Sequence, residues 1–163
     1  MGPPLFMVEL ILAQSESDLA AAKRLFLEYA ESLGFNLCFQ DFNRELAGVP
    51  GDYGPPGGRL RLAVVDDMAV GCIAMRKLED GICEMKRLYV RPAFRGRGIG
   101  RKLAVACVRD ARSLGYRAIR LDTIPEMAAA TALYRSLGFM EIEPYRFNPL
   151  PGALYMELDL NRQ

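Results

Sequence analysis

The chain of 163 residues is 51% hydrophobic and 25% charged, which is typical of a globular protein with a real core, so we expect a single domain over residues 1–163. The formal net charge is +1, and because proteins dedicated to nucleic acids or membrane surfaces usually carry a basic excess, we expect neither partner. Histidine is absent, which excludes histidine-dependent nucleophiles, histidine-ligated zinc and an imidazole base, and we expect no metal.

The first half of the chain predicts two helices followed by three strands. Apolar residues recur at helical spacing from residue 15 to residue 33, where Gly34 provides a stop, and a shorter helix is predicted from about residue 41 to residue 47. A loop rich in glycine and proline follows, over residues 48–58. Apolar patterns and turn residues then predict a meander of three strands at residues 59–65, 68–77 and 82–90.

In the second half, helices and strands alternate. A helix is predicted from about residue 98 to residue 114, then a strand at residues 116–123, then a helix that Pro125 opens and Gly138 closes. Two more strands are predicted at residues 139–145 and 154–160. This order predicts a mixed sheet with helices on its faces, an α/β arrangement of the mixed α+β kind rather than a doubly wound one.

The cysteines indicate a reducing compartment. Cys38, Cys72, Cys83 and Cys107 include no C-x-x-C pair, so a disulfide framework is not expected. The N-terminal residues lack a charged segment followed by a long apolar stretch, and no apolar run approaches the roughly 20 residues that span a bilayer. We therefore expect a cytoplasmic protein without a membrane partner.

The turn between the third predicted strand and the next helix is the most informative segment. Residues 95–101 read R-G-R-G-I-G-R. Glycine lets a ligand approach the main chain, and the free N–H groups and dipole of a helix start attract phosphate. No Lys-Ser or Lys-Thr follows, which excludes a Walker loop, and the third glycine is misplaced for a Rossmann fingerprint. A dinucleotide site with Asp122 on the ribose remains an alternative, as does a basic turn that binds nothing.

Two motifs resemble signatures of the GNAT acetyltransferase superfamily. Residues 95–100 (R-G-R-G-I-G) are similar to its coenzyme A motif R/Q-x-x-G-x-G/A, and residues 130–139 (A-T-A-L-Y-R-S-L-G-F) are similar to a helix near its C-terminus. The resemblance implies a GNAT-like mixed, mostly antiparallel sheet of about six or seven strands with a V-shaped splay, flanked by about four helices. It also implies an N-acetyltransferase that moves an acetyl group from acetyl-CoA directly to a primary amine in a ternary complex.

The resemblance assigns the cofactor to the main chain around this turn. The backbone of Leu88, Tyr89 and Val90 would pair with the pantetheine arm like an added strand, and an N–H near Leu88 would polarise the thioester carbonyl. Arg95 and its neighbours supply positive charge. The N–H groups that would hold the pyrophosphate belong to Gly96, Arg97, Gly98, Ile99, Gly100 and Arg101. Met127 departs from the family pattern, because many members have an asparagine there that contacts the cofactor.

Amine acetylation needs a route for the amine's proton and a donor for the departing thiolate. Tyr134 is the candidate acid by the resemblance, with a core tyrosine as the alternative. Glu84, eleven positions before Arg95, matches a catalytic glutamate of several family members and is the first candidate base; its alternative is a pairing with Lys86 on the same strand face. Asp122 is the second candidate base, with helix capping as its alternative. A proton relay without a single base is the third.

The acceptor pocket is expected between the segment after Gly34 and the loop near the C-terminus. Its predicted lining is Phe39, Asp41, Phe42, Glu45, Tyr53 and Tyr145. Asp41 and Glu45 would attract a cationic amine, although a solvated helix face explains them equally well. The acceptor is a small-molecule or peptide amine, and the oligomeric state is left open, a homodimer included. A catalytically silent acyl-CoA sensor and a nucleotide-binding protein are the alternative functions.

Overall fold

The structure is a computed structural model that describes residues 7–33, 42–148 and 150–161. Within these residues, a sheet of seven strands is flanked by four α-helices. The strands are β1 (Glu9–Leu12), β2 (Arg59–Val65), β3 (Met68–Glu79), β4 (Ile82–Val90), β5 (Ala118–Thr123), β6 (Met140–Ile142) and β7 (Leu154–Asp159). The helices are α1 (Glu16–Leu33), α2 (Phe42–Ala47), α3 (Ile99–Ser113) and α4 (Ala128–Ser136).

The strands follow the order β1-β2-β3-β4-β5-β7-β6. β4 and β5 run parallel, and every other neighbouring pair is antiparallel. The predicted mixed, mostly antiparallel sheet with about four helices is therefore confirmed. β1 is not among the strands predicted from local patterns, because its four residues are too few to show a clear alternation; it forms by pairing with the edge of β2.

The hairpin between β2 and β3 turns at Asp66 and Asp67, as predicted. Their backbone φ angles are +50° and +62°, the left-handed conformation that both central residues of a type I′ turn adopt. Val65 and Met68 are partners across this turn. Aspartate tolerates the left-handed conformation better than most residues do, which explains why two acidic residues interrupt an apolar segment here.

The last helix and the strand after it are shorter than predicted. Pro125 begins a single 3-10 turn, Pro125–Met127, and α4 begins only at Ala128. β6 covers Met140–Ile142 instead of residues 139–145. The chain then leaves the sheet edge, and the residues that follow lie over one face of the sheet, where they contribute to the site described below.

The two faces of the sheet are covered differently. On the α3 face, an apolar core extends from β2 to β7, with Met75, Leu103 and Met156 among its fully buried side chains. On the opposite face, α1 and α2 pack on the strands from β2 to β4, around Phe26 and Leu62. The part of this second face that β5 and β7 form contributes no side chain to that apolar cluster, so it is left to polar residues.

β4 and β5 pair at one end only. Residues 82–84 of β4 pair with residues 118–120 of β5, and beyond them the two strands have no further pairing in the described residues. The predicted V-shaped splay is therefore confirmed. Main-chain groups that lose a neighbouring strand must find another partner or water, so the open side of β4 is suited to an extended ligand.

The described cysteines are free thiols with buried side chains: Cys72, Cys83 and Cys107. Burial raises the pKa of all three thiols, that of Cys83 to about 12. Cys38 lies outside the described residues. None of the helices in the described ranges is both long enough and apolar enough to cross a bilayer.

Candidate active site

A groove of about 540 Å³ runs along the end of β4 and the glycine-rich turn, and its volume is typical of a site for a cofactor-sized molecule. One wall consists of Leu88, Tyr89, Val90, Phe94, Arg95, Gly96, Gly98, Ile99 and Gly100. The other wall comes from α1 and the start of α4, with Tyr29, Ser32, Leu33, Glu126, Met127, Ala129, Ala130 and Leu133. The groove thus lies where the sequence predicts the cofactor.

Two glycines leave open space beside the turn. Gly96 and Gly98 both have a φ of +80°, which residues with a side chain rarely adopt. A Cβ atom placed on either glycine would meet no atom within 4 Å. The space beside them is therefore available to a ligand, and main-chain N–H groups around such a concavity bind phosphate well.

α3 begins at this concavity without a side-chain cap. Gly98 is its N-cap and makes no side-chain hydrogen bond. The first bond of the helical ladder is the one that Lys102 N–H donates to the Gly98 carbonyl at 3.1 Å. The N–H groups at residues 99–101 therefore have no acceptor within the helix, and the helix dipole adds positive charge at this end.

An ion pair fixes α1 against the end of β4. Arg91 Nη2 lies 2.8 Å from Glu28 Oε2, and the Tyr89 hydroxyl donates to Glu28 Oε1 at 3.3 Å. The hydrogen bonds from Arg91 lower the pKa of Glu28, so the carboxylate stays charged at neutral pH. This pair holds the neighbouring Tyr29 at the groove, where its hydroxyl lies 3.9 Å from Met127 Sδ.

Two small cavities, of about 50 and 40 Å³, occupy the gap where β4 and β5 diverge, and we refer to this gap as the β4–β5 slot. Tyr29 and Met127 line the groove and both cavities, so the slot adjoins the groove. Both cavities are also lined by Lys86, Arg87, Asp122 and Thr123. Two strands therefore place charged side chains at the inner end of the groove.

Tyr134 lines the smaller of these cavities. Its side chain is 6% exposed, and its ring lies 5.7 Å from that of Phe139. No hydrogen-bond partner for its hydroxyl lies among the described residues. Burial raises the pKa of Tyr134 above its ordinary value near 10, so the hydroxyl keeps its proton at neutral pH and is a donor without an acceptor.

The slot opens onto polar side chains on one face of the sheet. Arg76 of β3 is in register with Glu84 of β4, and Glu84 is in register with Arg120 of β5. Because side chains alternate along a strand, Lys86 and Asp122 point to the same side. We refer to this set as the polar half-face, which comprises Arg76, Glu84, Lys86, Arg120, Asp122, Tyr155 and Glu157.

The segment after β6 covers the polar half-face. The Tyr155 hydroxyl donates to the carbonyl of Arg146 at 2.7 Å, and the Tyr145 ring packs edge-on against Tyr155 with centroids 5.3 Å apart. Asn148 Nδ2 donates to Asp122 Oδ2 at 3.0 Å. These contacts hold residues 145–148 over β5 and β7. They lie beside α1 and α2, which cover the other half of the same face.

Glu84, the first candidate base, is fully buried and has several partners. Arg76 Nε and Nη2 lie 3.0 Å from its Oε1, the Tyr145 hydroxyl donates to Oε2 at 2.7 Å, and Arg146 Nη2 contacts Oε2. The alternative pairing with Lys86 is not formed. Two guanidiniums stabilise a carboxylate as an anion and weaken it as a base. Glu84 lines neither cavity of the slot, so its geometry favours an organising role.

Asp122, the second candidate base, does reach the slot and lines both cavities. Its side chain is 15% exposed, and besides Asn148 it has Arg146 Nε at 4.0 Å. The alternative role in helix capping is not formed, because neither the 3-10 turn Pro125–Met127 nor α4 has a side-chain cap. Asp122 is therefore the carboxylate placed to meet a ligand in the slot.

Arg87 shapes the inner end of β4. Its φ of +61° lies in the left-handed region and accompanies a register shift between Cys72 and Ala74 of β3. Its guanidinium, 5% exposed, forms a bidentate pair with Glu45, with Nε 2.9 Å from Oε2 and Nη2 3.1 Å from Oε1. The Tyr53 hydroxyl also donates to Glu45, at 2.8 Å. This network stabilises an otherwise strained backbone next to the slot.

Lys86 differs from its charged neighbours, because its ammonium has neither a hydrogen bond nor an ion pair among the described residues. Burial lowers the pKa of Lys86 to about 8. The positive charges of Arg87 and Arg76 lower it as well, while the carboxylates of Glu45 and Asp122 oppose the change. The slot therefore contains a cation whose charge the protein does not neutralise by direct contact.

A comparison with family models shows which family has this arrangement of residues. Residues 19–139, well over half of the chain, match the model of the Acetyltransferase (GNAT) family. The chain belongs to the GNAT acetyltransferase family. The resemblance inferred from the two motifs is thus confirmed, and so is the prediction of an acyltransferase enzyme.

Other GNAT proteins are similar over much of the chain. An uncharacterised N-acetyltransferase of Schizosaccharomyces pombe is 40% identical over 147 residues, which is 89% of this chain and 90% of that protein. N-acetylaspartate synthetase of Rattus norvegicus is 37% identical over 99 residues, which is 60% of this chain and 33% of that protein.

Solved GNAT structures share the fold. A GNAT acetyltransferase from Staphylococcus aureus superposes with a TM-score of 0.79 at 20% identity, covering 94% of this chain and 99% of that one. YncA from Salmonella typhimurium, solved with its cofactor acetyl-CoA, has a TM-score of 0.68 at 18% identity, covering 96% and 95%.

Most residues predicted to bind the cofactor in this GNAT protein line the groove. Of the ten, eight do so; Arg97 and Arg101 do not. The Arg101 guanidinium donates to Ser136 Oγ at 2.9 Å, and Arg97 is exposed. Their predicted role concerns main-chain N–H groups rather than side chains, and it stays a prediction.

The residues predicted to line the acceptor pocket have varied surroundings. Phe39 and Asp41 lie outside the described residues. The Phe42 ring lies under the guanidinium of Arg87, 5.5 Å from ring centroid to Cζ. Because the carboxylate of Glu45 is held by Arg87, it offers no free charge to a cationic amine unless that pair opens.

Sequence reasoning missed several residues that line the groove and the slot. Tyr29 and Leu33 lie within the apolar pattern that predicts α1, and they also reach the groove. Lys86 was considered only as a partner of Glu84. The sequence did contain a sign that Lys86 faces a polar site. Glu84 and Lys86 are charged residues at alternate positions of a strand whose other residues are largely buried. Arg146 carried no comparable signal, because only the return of the chain over the sheet brings it to Glu84.

Proposed function

We propose that this GNAT protein moves the acetyl group of acetyl-CoA to a primary amine by direct transfer within a ternary complex. The observation that carries this proposal is the open concavity at Gly96 and Gly98, beside a groove whose lining residues Tyr29 and Met127 also line the β4–β5 slot. Such an arrangement lets the cofactor and the acceptor meet between β4 and β5. Direct transfer also agrees with the burial and raised pKa values of Cys72, Cys83 and Cys107, which leave those thiols unreactive.

The residues around the groove fit acetyl-CoA. The uncapped start of α3 and the open space at the glycines suit a diphosphate, and Arg95 adds positive charge beside them. The main chain at residues 88–90, unpaired toward β5, suits the amide groups of a pantetheine arm. Bound acetyl-CoA supplies the activated thioester. In this proposal a main-chain N–H near Leu88, next to the bulge at Arg87, stabilises charge on the carbonyl oxygen of that thioester.

Two side chains of the slot take the proton-handling roles in this proposal. Asp122 receives the ammonium group of the acceptor and accepts its proton, either directly or through water. Tyr134 donates a hydrogen bond to the departing sulfur. Because the thiolate has an ordinary pKa of about 8.5, below that of a buried tyrosine, we assign Tyr134 the role of hydrogen-bond donor rather than of full acid. Replacing Tyr134 by Phe should lower kcat about 10-fold or more without changing acetyl-CoA affinity; an unchanged kcat would exclude the role.

The same observations support a proposal for the setting of the reaction. We propose that residues 1–163 act as one catalytic domain. The free thiols of Cys72, Cys83 and Cys107 support a cytoplasmic location, where thiols remain reduced. The name of one relative, N-acetylaspartate synthetase, describes an N-acetylated amino acid, and it supports a small-molecule acceptor over a peptide.

Calorimetry with purified protein tests the proposal. Acetyl-CoA should bind with measurable heat, coenzyme A should compete with it, and ATP and NAD should not. Coenzyme A release should then require an added amine. Absence of binding would contradict the proposal outright, whereas binding without release on any amine would favour an acyl-CoA sensor instead.

A further inference from the structure

Among the described residues, the cationic side chains near the slot are paired with carboxylates, with a single exception. Arg76 and Arg146 contact Glu84, Arg87 binds Glu45, and a further pairing joins Arg120 of β5 to two glutamates. Lys86 is the exception among the described residues. It lies on the polar half-face next to these pairs, and it lines both cavities of the slot.

A negatively charged side chain lines the same two cavities. Asp122, on the strand across the slot, carries a carboxylate that an amide hydrogen bond from Asn148 holds in place. Arg146 Nε lies 4.0 Å away and makes no hydrogen bond among the described residues, so the carboxylate of Asp122 has no tight ion pair. The slot thus presents one ammonium and one carboxylate from opposite strands, within cavities of about 50 and 40 Å³.

An unpaired ammonium in a confined site is costly, because burial favours the neutral amine. The pKa of Lys86 is lowered to about 8 by this burial and by the nearby Arg87 of β4 and Arg76 of β3, against the opposing charges of Glu45 on α2 and Asp122 on β5. A lysine kept in such a place without a protein partner is explained if a ligand supplies the missing anion.

We propose that the acceptor is a small amino acid whose carboxylate binds Lys86 while its amino group faces Asp122. This inference rests on the function proposed above and specifies its acceptor. A zwitterion satisfies both charges of the slot at once, and its size fits cavities that hold only a few non-hydrogen atoms. A polyamine brings a second positive charge toward Lys86, and a peptide N-terminus brings no carboxylate close to the amine.

Matched pairs of acceptors test the role of the carboxylate. The enzyme with saturating acetyl-CoA is assayed against α-amino acids and their α-amides, against ω-amino acids and alkylamines of equal length, and against spermidine. At least one amino acid should react with a kcat/KM about 10-fold or more above that of its partner without the carboxylate. The amide has the less basic amine and so more of the reactive free form, which means that the intrinsic reactivity opposes the expected preference.

Lys86→Gln should abolish this preference. Its KM for the favoured amino acid should rise about 10-fold or more, while kcat/KM for the matched amide changes less than about 2-fold. Lys77→Gln is the matched control, because Lys77 lies exposed on the neighbouring strand β3 and pairs with Asp80 outside the slot. The control should keep the full preference.

Three outcomes would overturn the inference. The first is a preference of the unaltered enzyme for spermidine, alkylamines or amides. The second is an equal loss with both members of a pair in Lys86→Gln, which would make Lys86 a general base or a structural residue. The third is a failure of acetyl-CoA to bind by calorimetry, which removes the proposed function and this inference with it. The first two leave the acetyltransferase function standing.

Discussion

Two carboxylates near the β4–β5 slot have different surroundings, and replacing each by its amide separates their roles. Asp122→Asn should lower kcat about 100-fold or more, because the amide cannot accept a proton, with little change in stability. Glu84→Gln should instead lower the free energy of unfolding by about 3 kcal/mol, because it leaves Arg76 and Arg146 beside a neutral group. Urea titrations and steady-state kinetics measure both effects.

The contrary result is equally clear. If Glu84→Gln folds with unchanged stability, loses kcat and loses the acidic limb of its pH–rate profile, then Glu84 is the base, as the sequence suggested first. Asn148→Ala is a useful control for Asp122, because it removes the hydrogen bond to Asp122 Oδ2 but leaves the carboxylate.

The charge of Lys86 should affect how the free energy of unfolding depends on pH. Its pKa is about 8 in the folded protein and 10.5 when unperturbed, so between these values the unfolded chain binds more protons and stability rises with pH. Lys86→Met should therefore stabilise the protein by about 1 to 3 kcal/mol at pH 7, and this gain should shrink as the pH rises from 8 toward 10.5. Urea unfolding at pH 7 and pH 9.5 measures the difference.

The comparison variant for this experiment is Lys77→Met, at a lysine that is 57% exposed. Its effect on stability should not vary over the same pH range. A gain in Lys86→Met that is identical at both pH values would show that the effect comes from the methionine side chain and that Lys86 is fully solvated.

At the scale of the element, α3 has a left-handed glycine at each end. Gly98 precedes the helix with a φ of +80°, and Gly115 follows it with a φ of +85°; a Cβ atom on either would meet nothing within 4 Å. Alanine at each position should cost about 1 kcal/mol in backbone strain. Only Gly98→Ala should also weaken acetyl-CoA binding, about 10-fold, because its methyl group occupies the concavity at the turn.

Isothermal calorimetry and thermal unfolding of the two glycine variants separate these effects. Equal losses of stability with unequal affinities for acetyl-CoA would support the proposal that the concavity at the start of α3 binds the diphosphate. Equal affinities would place the cofactor elsewhere, since Gly115 lies at the far end of the helix.

At the scale of the whole molecule, the divergence of β4 from β5 predicts where a ligand protects the main chain. Acetyl-CoA should slow hydrogen exchange at residues 88–90 and 96–101, which line the groove or lie next to it. Residues 82–84 pair with β5 and should exchange slowly with or without ligand. Exchange monitored by mass spectrometry makes the comparison, and protection confined to residues far from the turn would contradict the proposed binding mode.

The sequence predicts those parts of the fold that have local signals. The strands from β2 to β4, the turn at Asp66 and Asp67, and α3 with its glycine-rich start all follow from periodicity and turn chemistry over a few residues. The polar half-face could not be predicted in this way, because it depends on β5 lying between β4 and β7. Contacts such as Tyr145 with Glu84 join residues 61 positions apart, and no pattern in either segment specifies the other.

The same limit explains the outcome at the candidate site. The proposed binding of a diphosphate by the main chain depends on one short segment, so the glycines alone were enough to predict its position. The roles of Glu84, Asp122 and Lys86 depend instead on which side chains neutralise which others, and that is decided by packing between distant segments.

The burial of Cys72, Cys83 and Cys107 has a practical consequence for measuring turnover. Chromogenic disulfide reagents detect free coenzyme A because they react with its thiolate, and thiols with raised pKa values inside the folded protein are largely inert toward them. These three residues should contribute no background in a continuous spectrophotometric assay. In denaturant they should all become reactive together, so the same dye that reports product formation also counts unfolded molecules.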